Sequence, residues 1–357
     1  MKKIFTLVLV LFPILYIYDS GILTLSLADI ILIAILPLLI TDMIIKKKTI
    51  KINVFLFFFT LFIFSQILIY YLFNITTANA VMTTFRLVLY YAVISFFVYE
   101  YFDYNKGIKY IKICATLSAI FWLIQYVLFD YFGIFLQGTL PFFKTQVDEY
   151  NYIMNNHAWN SFAYTRPRSF FSEPSHFAVY EALGLLMLLF KFNSKDKIPT
   201  IIVALSMLLS GSGMAITLIT LIAIIYFFNY AKKITYNKII IFTLIILCCV
   251  GLLPIYTKTE TFQLFFDRTF ISKDSTNGRF GNFIDAFTVN RNFREFFIGD
   301  GIYQIADISG QKYITSIPRI YTYFGLIGLI VFILLCISNF YKLKGVRKYT
   351  WILLFAI

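Results

Sequence analysis

The sequence predicts an all-α, polytopic integral membrane protein of about ten or eleven transmembrane helices with two long extracytoplasmic loops. Apolar residues make up 60% of its 357 residues and charged residues only 14%, whereas a soluble domain carries about 25% charged residues. Apolar runs of roughly twenty residues, the length that crosses a bilayer core as a helix, recur along the chain. Basic residues gather in alternate short loops. We therefore expect a single transmembrane domain over residues 1–357.

The predicted spans follow the apolar runs in order. Met1-Lys-Lys before an apolar run is typical of a secretory signal, but no small-residue cleavage site follows Tyr18, so we expect this run to remain as the first helix. The run 199–229 is too long for one crossing and is interrupted by Ser210-Gly-Ser-Gly213, which predicts two helices that meet at this turn. The spans are expected near 4–18, 22–45, 52–73, 81–102, 108–133, 174–192, 199–229, 238–256 and 318–341, with another starting at 350.

The short loops predict the orientation of the chain. If the spans alternate, the N-terminus and five lysine-rich loops share one side, which holds 19 of the 31 basic residues. The positive-inside rule makes that side cytoplasmic. Two long loops, residues 134–173 and 257–317, are then extracytoplasmic. The formal charge of +13 belongs mostly to these membrane-flanking loops, so we expect no nucleic-acid partner.

Arginine and lysine are distributed differently. Lysine supplies 18 of the 19 cytoplasmic basic residues, whereas seven of the nine arginines lie in or beside the outer loops. Arginine binds phosphate through a planar, bidentate fork, and lysine acts as a point charge. The outer arginines therefore indicate a phosphate-bearing ligand presented from the membrane. The alternative is that they pair with acidic residues of the same loops or with lipid headgroups. The seven are Arg166, Arg168, Arg268, Arg279, Arg291, Arg294 and Arg319.

The segment Arg-Pro-Arg-Ser-Phe-Phe-Ser-Glu-Pro-Ser-His, residues 166–176, ends the first outer loop and starts a span. Pro174 suits the first turn of a helix, where its missing N–H costs nothing. The start of that helix directs free N–H groups and a positive pole outward, beside the two arginines. We predict an anion site here, with Glu173 and His176 as candidate proton acceptors. Alternatively, Glu173 only caps the helix and pairs with Arg168, while His176 is simply exposed.

The segment Asn-Gly-Arg-Phe-Gly-Asn-Phe-Ile-Asp-Ala-Phe, residues 277–287, predicts an amphipathic helix in the second outer loop. Its apolar side chains recur at i, i+3, i+4 and i+7, and Arg279 begins a polar row. Such a helix would lie in the outer interface with Arg279 turned toward headgroups. A plain surface helix would explain the periodicity but not an arginine at its start. The loop ends at Pro318-Arg319, which opens the next span.

Two charges lie inside predicted spans. Asp29 is seven residues and Arg86 five residues from the expected outer start of its helix, so both lie roughly 8–10 Å deep. Isolated charges at that depth are unfavourable, so we expect the two side chains to be near one another or to share a polar cavity. Glu181 is eight residues into its span, close to the face of Glu173.

No cofactor motif is present in the sequence. It contains no Walker loop, dinucleotide fingerprint or HExxH motif, and it has only two histidines. All four cysteines fall inside apolar runs rather than in loops at ligand spacing. We therefore expect neither a cofactor nor a metal site.

These motifs resemble those of the repeat-unit polymerases of O-antigen and related bacterial surface polysaccharides (Wzy-type), within the wider O-antigen ligase superfamily. The resemblance covers most of the chain as architecture. The individual motifs are short and degenerate, and their order and topological placement give the resemblance its specificity. They are residues 166–175, the Leu209-Ser-Gly-Ser212 break, Gly278-Arg279, Ile298-Gly-Asp-Gly301 and Gly325-Leu-Ile-Gly328.

The resemblance implies a metal-independent glycosyltransferase of the bacterial cytoplasmic (inner) membrane. Such enzymes join oligosaccharide units carried on undecaprenyl pyrophosphate at the outer face, and their partners include membrane lipid, a chain-length regulator and a flippase. Whether the product is O-antigen, capsule or exopolysaccharide stays open. The implied pyrophosphate-binding residues are Arg166, Arg168, Arg279 and Arg319. The implied catalytic residues are Glu173 and Arg279, and the secondary candidates are His176, Asp29 and Arg86.

Two alternatives to a polymerase stay open. Ligases of the superfamily carry a His-Asn pair about a dozen residues before the Gly-Leu-Ile-Gly turn, where this chain reads Ile314-Thr-Ser-Ile-Pro-Arg319. The missing histidine favours a polymerase over a ligase. A flippase or transporter of the same lipid-linked sugar should place charges along a midplane path with repeat symmetry. Here the charges gather at the outer surface.

Overall fold

The structure, a computed structural model, describes the chain in ten segments. Between these segments the predicted span 238–256, the span starting at 350 and most of both outer loops lie outside the described residues. The described segments are residues 1–22, 25–47, 54–72, 78–134, 136–140, 142–145, 167–230, 287, 292–301 and 316–342.

The described residues form an all-α structure, as the sequence predicts. Within them, the only β-type pairing is two isolated bridges, Tyr18 with Thr145 and Asp19 with Ser26. The helices are α1 (Lys2–Leu15), α2 (Leu27–Ile45), α3 (Val54–Leu72), α4 (Ala78–Val93), a π-helical turn (Ile94–Val98), α5 (Tyr99–Tyr101), α6 (Tyr104–Phe132), α7 (Pro174–Phe190), a 3-10 turn (Ser194–Asp196), α8 (Lys197–Leu209), α9 (Gly213–Tyr230), α10 (Phe293–Ile298) and α11 (Ser316–Lys342).

Four helices of the described segments are long and apolar enough to cross a membrane by length and composition: Leu27–Ile45, Val81–Tyr101, Tyr104–Phe132 and Ile317–Ser338. Three shorter apolar helices accompany them, at Leu56–Gln66, Pro174–Phe190 and Gly213–Phe227. The predicted number of ten or eleven crossings stays a prediction.

Helix boundaries follow from local capping. Asp103 accepts the Lys106 backbone N–H at 3.1 Å and starts α6, and a hydrogen bond from the Lys106 side chain holds the pKa of Asp103 below its ordinary value. Gly133 ends α6 at φ 64°, a left-handed conformation that glycine adopts without strain. Ser210-Gly-Ser separates α8 from α9, which confirms the predicted break.

Two predicted spans differ from the observed helices. The second was expected from residue 22, but α2 starts at Leu27, because Ser26 and Asp29 form a reciprocal capping box. Asp29 therefore lies in the first turn of its helix rather than about two turns deep. The span 318–341 was expected to be one helix, but Gly325 interrupts α11 with φ 62° and ψ −166°.

Helices α6 and α7 run antiparallel and in register. Ala115 meets Gly184, where an added Cβ would lie 2.3 Å from the Ala115 Cβ. Two turns along, Trp122 stacks on Phe177 with ring centroids 5.8 Å apart. Both contacts belong to a core of buried side chains from α6, α7, α8 and α9. A second core contains buried side chains of α1, α2, α4, the π-helical turn and α5. A third core contains buried side chains of α3 and α11.

Hydrogen bonds and ion pairs hold the helices together at two ends. At one end, here named the lysine end, Lys2 pairs with Glu100 at 3.7 Å, and Lys112 pairs with Asp196 at 2.6 Å. At the opposite end, the Asp19 backbone N–H donates to the carbonyl of Lys144 at 2.8 Å. In the described segments, the predicted cytoplasmic loops therefore meet at the lysine end, and the segments expected outside meet at the opposite end.

Candidate functional site

The first candidate site is the turn at residues 167–173, which leads into α7 at the opposite end. Arg168 is half-buried, and its Nη1 donates to the carbonyl of Ser172 at 2.7 Å. The next residue, Ser169, has φ 55°, which is rare for a residue with a side chain. The turn thus folds back on itself and holds the Arg168 guanidinium close to the start of α7.

The helix start has no side-chain cap. Glu173 occupies the N-cap position but makes no capping hydrogen bond, and Pro174 follows as the first helical residue. The exposed Glu173 carboxylate accepts a hydrogen bond from the Ser175 hydroxyl at 2.9 Å. The first N–H groups of α7 therefore face the same end as Arg168 and donate no capping hydrogen bond to the Glu173 side chain.

The structure agrees with the alternative role of His176 but not with the capping and pairing role of Glu173. Among the described residues, no ion pair joins Glu173 to Arg168. His176 is exposed, as the alternative expected, and its Nδ1 shares a hydrogen bond of 2.7 Å with the Ser172 hydroxyl. Ser172 thus contacts both Arg168 and His176, which brings these two candidates into one turn.

Of the three other predicted phosphate-binding arginines, Arg319 is within the described residues. Arg166 and Arg279 lie outside the described residues, as does the predicted amphipathic helix apart from its last residue, Phe287. That residue is helical, and its ring stacks on Tyr321 at 4.8 Å. Arg319 is exposed near the start of α11.

The predicted proximity of Asp29 and Arg86 is confirmed. Nε of Arg86 donates to Oδ2 of Asp29 at 3.0 Å, and the Asp29 side chain is fully buried. Tyr90 donates its hydroxyl proton to the other carboxylate oxygen, and the Arg86 guanidinium carbon lies 5.6 Å from the Tyr16 ring centroid. This arrangement is a hydrogen-bonded ion pair between α2 and α4, next to the residue that follows α1.

Two of the resemblance motifs, distant in sequence, meet in space. A Cβ added to Gly299 would lie 2.4 Å from the carbonyl oxygen of Tyr323, and one added to Gly325 would lie 2.4 Å from the backbone of Phe297. The Asp300 N–H donates to the carbonyl of Thr322 at 2.8 Å. The Gly-Asp-Gly turn after α10 is therefore packed directly against the break in α11.

Glu181 is the buried carboxyl group of α7. Its side chain is fully buried, and neither oxygen has a hydrogen-bond partner within the part of the chain that the structure describes. Ser118 of α6 lies beside it.

Sequence reasoning missed the polar side chains of α6 that face the Arg168 turn. Ser118, Trp122 and Gln125 are all buried and recur at i, i+4 and i+7, the spacing of one helix face. A polar row on an otherwise apolar span was a detectable signal. Its partners were not detectable, because they lie in a loop 44 to 51 residues further along the chain.

Comparison with known proteins identifies no relative: no family model matches the chain, and neither a curated protein nor a solved structure matches it.

Proposed function

We propose that this chain is a repeat-unit polymerase of a bacterial surface polysaccharide, acting at the outer face of the cytoplasmic membrane. The observation that carries the proposal is the position of Arg168. It lies in a turn anchored to α6, beside the uncapped start of α7, at the end of the helix array opposite the lysine end. An arginine fork at an uncapped helix start is suited to a phosphate-bearing ligand.

The proposed orientation places the lysine end in the cytoplasm. The Arg168 turn then faces the outer leaflet, where a lipid-linked saccharide presents its pyrophosphate at the headgroup level. Arg166, Arg279 and Arg319 belong to the same predicted face. A set of arginines on the outer face has no role in positive-inside anchoring, so ligand binding accounts for it better.

The proposed reaction is a glycosyl transfer between two lipid-linked glycans. A hydroxyl oxygen of the incoming unit attacks the anomeric carbon of the growing chain, and the bond from that carbon to the pyrophosphate oxygen breaks. The arginines stabilise the negative charge that develops on the departing undecaprenyl pyrophosphate. The hydroxyl proton passes to Glu173, whose exposed carboxylate is within the same turn.

Replacing arginine by lysine tests the proposal. Arg168→Lys keeps the charge but loses the fork, and a lost charged hydrogen bond is worth about 1.5–3 kcal/mol. We expect polymerisation, read from the glycan ladder at matched protein level, to slow by roughly ten- to a hundredfold. Arg166→Lys and Arg279→Lys should behave alike.

Arg347→Lys is the matched control, because Arg347 lies among the predicted cytoplasmic lysines and should tolerate the change. Wild-type ladders from all three outer variants would show that these arginines only anchor the loops to headgroups. A deletion strain separates the alternative functions: a single repeat unit per lipid core supports a polymerase, whereas no transferred glycan indicates a ligase or a flippase.

A further inference from the structure

The turn that carries Arg168 is held from one face of α6. Trp122 Nε1–H donates to the carbonyl of Pro167 at 3.0 Å. Gln125 Oε1 accepts the backbone N–H of Ser169 at 2.7 Å. Both neighbours of Arg168 are therefore fixed by buried side chains, which determines the direction in which the Arg168 side chain leaves the backbone.

The conformation of Ser169 requires this support. A residue with a side chain at φ 55° is less stable than in the right-handed region by roughly 1–2 kcal/mol. The Ser169 hydroxyl donates to the carbonyl of Ser118 at 2.8 Å, and the two hydroxyl groups lie 3.0 Å apart. Together with Gln125, these bonds offset the cost and keep the turn in one conformation.

Gln125 also holds the start of the first outer loop. Its Nε2 donates to the carbonyl of Leu136 at 2.8 Å while its Oε1 holds Ser169. Gly138 packs on the same turn so closely that an added Cβ would lie 1.6 Å from the carbonyl oxygen of Ser169. One amide therefore ties both ends of the loop 134–173 together. A carboxylate could not replace it, because it lacks the donor.

We propose that Gln125 is a positioning residue for Arg168. By closing the base of the first outer loop, it presents the guanidinium at a fixed place to the pyrophosphate of a lipid-linked glycan. The identity of that ligand rests on the proposed function, whereas the positioning itself does not.

The test measures position and binding separately in the purified full-length chain. Position is read from the rate at which an arginine-specific dicarbonyl modifies Arg168, located by mass spectrometry, with the exposed Arg319 as internal reference. Binding is read from titration with inorganic pyrophosphate. In Gln125→Leu and Gln125→Glu we expect the Arg168 rate to change at least threefold relative to Arg319, and pyrophosphate affinity to fall about tenfold.

A matched control and a milder variant keep the test decisive. Gln66 is also a buried glutamine of a long helix, and its Oε1 has no partner among the described residues, so Gln66→Leu should leave both readouts unchanged. If Gln125→Leu fails to fold, Trp122→Phe retains the aromatic ring between Tyr126 and Phe177 but removes the bond to Pro167. It should change the Arg168 rate in the same way.

An Arg168 rate that stays constant relative to Arg319 in every folded variant would overturn the positioning role. A changed rate in a chain that binds no pyrophosphate even as wild type would support the positioning role and refute the proposed ligand.

Discussion

Four hydrogen-bond donors reach the Asp29 carboxyl group inside the helix array. The donors are the Ser26 backbone N–H, the Ser26 hydroxyl, Arg86 Nε and the Tyr90 hydroxyl. The ion pair thus comes with the additional hydrogen bonds that a buried pair needs to offset its desolvation. The same carboxylate caps α2, so one residue joins the start of a helix to a contact between helices.

Removing only the cation should be the most damaging change at this site. In Arg86→Met the Asp29 carboxylate stays buried without its counter-charge, which costs about 3–5 kcal/mol. We expect a clearly lower thermal unfolding midpoint in detergent than for the wild type. The double variant Asp29→Asn with Arg86→Met should recover part of the loss, since the unpaired charge is gone. If the midpoint changes of Asp29→Asn and Arg86→Met, measured separately, sum to the change in the double variant, the two residues act independently.

The sequence was sufficient to predict that Asp29 and Arg86 meet, because an isolated charge in an apolar helix is costly wherever it lies. The predicted position of Asp29 within its helix was wrong, since the capping box starts the helix at Leu27 instead of residue 22. Tyr90 and Tyr16 could not be predicted as partners. Their contacts depend on how each helix is rotated about its axis, which a sequence without partner geometry does not specify.

At the level of elements, two glycines let α10 and α11 approach to backbone contact. Gly299 has φ 95° and ψ 171°, and Gly325 has φ 62° and ψ −166°. Both conformations lie in a region that only glycine populates freely. Each glycine also faces the other helix where a methyl group would overlap backbone atoms. Conformation and space therefore both require glycine at the junction.

Alanine at either glycine should displace α10 from α11. The strained backbone alone costs about 1–3 kcal/mol, and the overlap adds to it, so Gly325→Ala and Gly299→Ala should each lower the thermal midpoint strongly. Gly213→Ala is the matched control, because its added Cβ would meet open space and its φ is not positive. A stability of Gly325→Ala equal to that of Gly213→Ala would contradict the required close approach.

The two helix breaks differ in how well the sequence indicates them. The run that contains Ser210-Gly-Ser-Gly213 was too long for one crossing and held two glycines and two serines together, so a break was predicted and is observed. Gly325 lies alone in a run of ordinary span length, where a single glycine is usually tolerated. Its break depends on the tertiary contact with Gly299, and local sequence does not encode that contact.

For the whole molecule, the described helix ends separate into the lysine end and the opposite end. This agrees with the alternation of spans on which the predicted topology rests. Salt bridges such as that of Lys112 with Asp196 hold the lysine end together. The Nζ of Lys112 also donates a hydrogen bond to the carbonyl of Lys191. Which end faces the cytoplasm follows from the positive-inside rule rather than from the packing, because packing is the same in either orientation.

Cysteine labelling in a cysteine-free background tests the orientation. Asn155→Cys and Ser309→Cys lie in the two predicted outer loops and should react with a membrane-impermeant maleimide in intact cells or spheroplasts. Asn193→Cys lies at the lysine end, next to the 3-10 turn, and should react only after the membrane is permeabilised. Labelling of Asn193→Cys alone in intact cells would reverse the topology and remove the basis for an outer-face polymerase.

The π-helical turn between α4 and α5 corrects an angular drift. Four side chains spaced four residues apart lie in one buried cluster: Leu89, Val93, Phe97 and Tyr101. At 3.6 residues per turn, each four-residue step rotates the side chain by about 40° beyond a full turn, so Tyr101 would point about 120° away from Leu89. A π-turn holds more residues than an α-turn, so Ile94–Val98 reverses part of this rotation. Tyr101 consequently still faces α2, where its hydroxyl donates to Asp42 at 2.7 Å.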